Sequence, residues 1–164
     1  MAKTSELDPD SARELSTQLA LLAVESAAPD EVLMFEEVAE EYFEDPAATL
    51  TTNQREESVG FGLDLVLLTP YALAVSQFVL GFLIDLLMDG AKDVAKPGVV
   101  NLIRRILRRP GQEAASEQVP DWTPEQRQRI LTAATDEATR LGLAEDHAAL
   151  LGKAIVGALV TRTG

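Results

Sequence analysis

Six carboxylates stand close together at Glu36, Glu37, Glu40, Glu41, Glu44 and Asp45. Carboxylates four residues apart share one face of a helix, where they could hold a hard cation. The pattern lacks both the glycine-turn ligand loop of a calcium hand and any inward-facing Glu-x-x-His pair. It therefore reads as a solvated helix face, and no metal site is expected. His147 is the single histidine and comes after Glu145 and Asp146. No nucleophile stands at a readable spacing from it, so it reads as a surface or capping residue instead of a general base. Gly60 and Gly62 lack the lysine and the strand of a phosphate loop. The chain has no cysteine, which removes disulfides, thiolate metal sites and a thiol nucleophile. These patterns point to no catalytic residue and no cofactor. A hidden carboxylate chemistry would have to use Asp64 or Asp85, and their replacement by asparagine would expose it.

A second kind of chemistry is charge-assisted binding. Residues 97–109 read PGVVNLIRRILRR. Val99, Leu102, Ile103 and Ile106 fall on one side at helical spacing, and Asn101, Arg104, Arg105 and Arg108 on the other. Pro110 and Gly111 end the segment. A basic amphipathic helix docks on a partner protein, lies on anionic lipid or grips phosphates. The plainer reading pairs its arginines with acidic helices of the same chain. Among the binding readings, Arg104, Arg105, Arg108 and Arg109 would supply the charge, and Val99, Ile103 and Ile106 the apolar contact.

The elements that must position these residues are helices. Ser11 and Glu14 form a capping box that predicts a helix to about Ser26, with Ala12, Leu15, Leu19, Leu22 and Ala23 inward. Pro29 predicts a second helix to Asp45, stopping before Pro46, with Val32, Phe35, Val38, Ala39, Tyr42 and Phe43 inward. Residues 46–53 read as a connector of small and polar residues, and Asn53 with Glu56 as the cap of a third helix. Thr123 and Pro124 open a further helix with Ile130, Ala134, Ala138 and Leu141 inside and Gly142 as its stop. Trp122 reads as a hydrophobic entry to that helix. The last helix spans about Glu145 to Val160. Its small residues Ala148, Gly152, Ala154, Gly157 and Ala158 permit close helix approach, inside the fold or between copies of the chain. No strand-like alternation of useful length occurs.

The most apolar stretch raises a membrane question. Leu65 to Ile84 is 20 residues without a charge, enough to cross a hydrocarbon core of about 30 Å. Its twelve Leu, Val, Ile and Phe residues favour insertion by about −4 to −7 kcal/mol. Thr69, Pro70, Tyr71, Ser76 and Gln77 oppose much of that. From Pro70 onward Ala74, Gln77, Gly81, Asp85 and Asp89 make a narrow small-and-polar stripe on an apolar helix. The expectation is a central core helix over about Pro70 to Met88. The alternative is a span marked by Leu65, Pro70, Gln77, Gly81 and Ile84, with the basic segment on the cytoplasmic side. Triggered release of the helix into a membrane is a third, weaker route, since no second apolar helix completes a hairpin.

Charge and composition set the limits. The 164 residues carry a net charge of −13. Residues 1–57 hold 15 acids and three bases, whereas 91–110 hold six bases and one acid. The acidic field of the whole molecule argues against nucleic acid as a partner. Ten arginines against four lysines, with abundant alanine, point to a high-GC bacterial genome. No secretory signal is visible in the first residues, so a cytoplasmic location is expected, with the cytoplasmic membrane as the alternative.

The expected fold is all-α: one domain over 1–164, a bundle of about five to seven helices around a strongly apolar central helix. Its parts are a flexible acidic terminus (1–10), an acidic helical pair (11–45), apolar central helices (54–90), the basic helix (97–109), a linker (111–121) and a C-terminal pair (123–162). The expected role is non-catalytic: an interaction or assembly protein, an accessory component of a bacterial complex. A protein partner leads, ahead of an anionic membrane surface and self-association through the C-terminal helix.

Overall fold

The computed structural model describes residues 9–51, 67–90, 103, 107 and 122–160, and among them every regular element is a helix. Helix α1 (Pro9–Ala27) buries Leu15, Leu19, Ala20, Ala23 and Val24 along one face. The helix includes Pro9 and Asp10, ahead of the Ser11 capping box. Proline suits a first turn, where its missing N–H forfeits no bond. Ser16 is also buried, and its hydroxyl donates to the Ala12 carbonyl at 2.6 Å, one turn back.

The acidic element after it has two parts where one helix is expected. Pro29–Met34 is a 3-10 turn opened by the proline, and α2 (Phe35–Glu44) continues directly from it. Phe35, Ala39 and Tyr42 are buried, while Val32, Val38 and Phe43 are half-buried. Pro46 ends α2 as expected, but residues 46–51 form another helical turn in place of the expected connector. The Asp45 carboxylate explains it: Oδ1 accepts from the Ala48 amide at 3.2 Å, as an N-cap does. The expected cap at Asn53 and Glu56 lies outside the described residues.

Helix α3 (Thr69–Gly90) is the expected apolar helix. Helices α4 (Pro124–Arg140) and α5 (Glu145–Val160) make the C-terminal pair. Around the bundle α1 packs on α3, α3 on α4, α4 on α5, and α5 back on α1, which closes a four-helix ring. Helix α2 leans on α3 from outside. The core inside the ring is continuous, from Leu15 and Leu19 through Tyr71, Val79 and Leu83 to Ile130, Leu151, Ile155 and Leu159.

Local signals shape the C-terminal pair as the sequence predicts. Thr123 Oγ1 accepts from the Gln126 amide at 3.0 Å, and Gln126 Oε1 accepts from the Thr123 amide at 2.9 Å. At the other end Gly142 takes φ 105°, a left-handed conformation that favours glycine. The Gly142 amide then bonds the Thr139 carbonyl, and the Leu143 amide the Ala138 carbonyl, the pairing of a Schellman stop. Trp122 is buried, and its indole N–H donates to the Leu159 carbonyl at 3.3 Å, tying the start of α4 to the end of α5.

Candidate functional site

The polar chemistry of the described residues gathers where α2 and the 3-10 turn meet α3. Thr69 and Leu68 start α3 in the interior, where an unpaired amide is expensive. The Glu31 carboxylate meets that need. Its Oε2 accepts from the Leu68 amide at 2.8 Å, and its Oε1 accepts from the Thr69 amide at 2.9 Å and the Thr69 hydroxyl at 2.7 Å. An anion on the positive end of a helix dipole adds to those bonds. The Thr69–Pro70 pair does mark a helix start, but Thr69 is the first helical residue and the cap comes from 38 residues upstream. By local pattern alone, Glu31 belongs only to the first turn of its own helix.

Two turns along α3, Tyr42 of α2 donates its hydroxyl to Gln77 Oε1 at 2.8 Å. Burial pushes the Tyr42 phenol up to about 12, with the negative charge of Glu137 on α4 adding to it. Phe43 beside it meets the Tyr42 ring edge-on at 5.2 Å and carries the Arg13 guanidinium 4.6 Å from its centroid. Helices α1 and α3 thus both meet α2, which is the inward work of a segment whose other side is acidic.

That acidic side is solvent-facing. Glu36, Glu37, Glu40, Glu41, Glu44 and Asp45 are all exposed, and no group of acids or histidine placed to hold a metal occurs among the described residues. His147 is half-buried in the first turn of α5, with its amide donating to Asp146 Oδ1 at 2.9 Å.

The residues marked for membrane insertion do not share one environment. Pro70 and Ile84 are buried, whereas Gly81 is half-buried, Gln77 is exposed and occupied by Tyr42, and Leu65 lies outside the described residues. Over Thr69–Leu86, the stretch long and apolar enough to cross a membrane, 67% is buried inside the protein. The uncovered remainder is Ala74, Gln77, Phe78, Gly81, Phe82 and Asp85, one outward stripe at helical spacing. Members of the expected small-and-polar stripe therefore face out together with two phenylalanines. Arg129 of α4 lies 5.8 Å from the Phe82 centroid.

In the basic segment Ile103 and Leu107 are helical and fully or nearly fully buried in the common core. The apolar contribution of Ile103 is made to this bundle. Val99, Arg104, Arg105, Ile106, Arg108 and Arg109 lie outside the described residues. In α5, Ala148, Gly152 and Ala154 are buried within the fold, and Gly157 and Ala158 are half-buried. A methyl on Gly152 would overlap Thr135 Oγ1 of α4 and crowd Leu131 Cδ1, so this glycine sets the α4–α5 separation.

No protein-family model, no curated protein and no solved structure matches this chain.

Proposed function

We propose that the chain is a non-catalytic helical interaction protein, an accessory component of a bacterial complex, that binds through the basic segment 97–109. The reading places it on the cytoplasmic side with a protein as its partner. One observation carries it: the segregation of charge, with residues 91–110 at six bases to one acid in a chain of net −13. A cationic segment in such a chain recognises an acidic partner by charge-assisted contacts, with arginine giving two parallel bonds to each carboxylate. The burial of Ile103 and Leu107 supports the division of labour. Ile103 and Leu107 serve the bundle, and by helical spacing in the sequence Arg105, Arg108 and Arg109 belong to the opposite half of the pattern.

The test is Arg105→Glu with Arg108→Glu in the full chain. Cross-linked complexes isolated from the native host, and flotation with vesicles of anionic phospholipid, are compared with wild type while circular dichroism checks helicity. Loss of the cross-linked complex with helicity intact is the expected result. Loss of vesicle binding alone would make anionic lipid the partner. Binding unchanged on both readouts would remove the proposal.

A second reading is a small protein anchored through 65–84. It draws on the length and apolarity of α3, and predicts a membrane fraction that resists high salt and alkaline wash.

A further inference from the structure

Among the described residues, helix α5 has a face that the bundle covers only in part. Its inward residues Ala148, Leu151, Gly152, Ala154, Ile155 and Leu159 meet the interior. On the other side Asp146, Leu150 and Lys153 are exposed, and Ala149, Val156 and Gly157 are half-buried. Spacings of three and four put these residues on one face. Leu150 keeps 43% of its surface in water, and a methyl built on Gly157 meets no atom within 4 Å.

We propose that this face binds a second copy of the chain, with the two α5 helices antiparallel about a two-fold axis that passes between Ala149 and Leu150. In a two-fold contact residue i meets j and j meets i. Here Asp146 of one copy meets Lys153 of the other, and Leu150 meets Ala149. Each contact occurs twice. Opposite charges face each other at both ends, and a large side chain packs on a small one at the centre. The outward side of Gly157 leaves backbone room beyond the charge pair. A parallel arrangement would set Asp146 against Asp146 and Lys153 against Lys153, so the charges select the antiparallel one.

The two α5 helices overlap over residues 145–154 of each copy, a contact one helix wide and about 15 Å long at 1.5 Å per residue. It is smaller than the roughly 1,600 Å² typical of stable complexes, so the dimer is weak and dilution dissociates it. Two copies at −13 each also repel, and physiological salt screens that term.

Sedimentation equilibrium of the full chain at physiological ionic strength, from micromolar to millimolar, tests the proposal. A reversible monomer–dimer equilibrium is expected. Leu150→Glu should raise the dissociation constant about tenfold or more. Lys153→Asp should do the same by facing Asp146 with a like charge, and adding Asp146→Lys should recover most of the loss. Both single substitutions lie at exposed positions, so they keep the test sound should the double variant lose the Asp146–His147 bond and unfold at its end. A monomer throughout the range would overturn the proposal. So would a dimer indifferent to Leu150→Glu, or a folded double variant no tighter than Lys153→Asp.

Discussion

Helices α3 and α4 are neighbours in the ring, yet their ends are set in opposite ways. Helix α4 is started by Thr123 and Gln126 and stopped by Gly142, all within three residues of its ends. Helix α3 is started by Glu31, a carboxylate on another element. A helix with local caps can be read from a window of sequence, and its boundary survives changes elsewhere. A helix capped from afar holds its boundary only while the other element is docked. The arrangement makes docking of the 3-10 turn and formation of the first turn of α3 one event.

Deep packing should not distinguish the two helices. Leu83 on α3 and Ile130 on α4 are both fully buried, and each replacement by alanine should cost about 2–5 kcal/mol by chemical denaturation. A near-neutral Leu83→Ala would show that α3 is not part of the core, and the comparison would collapse. The caps should separate them. Glu31→Ala leaves the Leu68 and Thr69 amides without their acceptor and should cost about 2–3 kcal/mol, at the upper end for orphaned buried groups. It should also speed amide exchange at the start of α3 and loosen the 3-10 turn. Thr123→Ala should cost about 1 kcal/mol and alter exchange only at the start of α4. Equal costs with purely local exchange changes would contradict the distant-cap account.

The Tyr42–Gln77 contact that joins α2 and α3 sharpens the comparison through pH. The Tyr42 phenol is held up at about 12 against an ordinary value of 10.0. A folded value above the unfolded one contributes stability that is whole below about pH 10 and is lost as pH rises towards about 12. Wild type should therefore destabilise over that window, with tyrosinate absorbance from Tyr42 delayed towards about pH 12 while the protein stays folded. Tyr42→Phe should flatten the slope. An unchanged slope in that variant would assign the alkaline transition to another group.

These contrasts explain which features were legible in the sequence. Helical periodicity found the inward faces of α1, α2 and α4, because the spacing that buries Leu15 with Leu19 or Ile130 with Ala134 is a property of neighbouring residues. The cap at Thr123 and the stop at Gly142 were legible for the same reason. The Ser11 box placed the start of α1 to within two residues of Pro9. The turn over 46–51 was hidden by Pro46, which reads as a breaker until the Asp45 carboxylate is seen to cap a new helical turn at Ala48. Glu31 and Tyr42 were illegible as polar partners, since Thr69 and Gln77 lie 38 and 35 residues away from them. The outward face of α5 needed the ring closure to show which of its small residues are already used.

The central claim is that the apolar surface of α3 belongs to the interior of a helical bundle. Its most direct test is expression of the untagged chain, ultracentrifugation of the lysate and an alkaline carbonate wash of the pellet. The account predicts protein in the supernatant, folded without detergent. Retention in the washed membranes would contradict it, and would make 65–84 a membrane anchor.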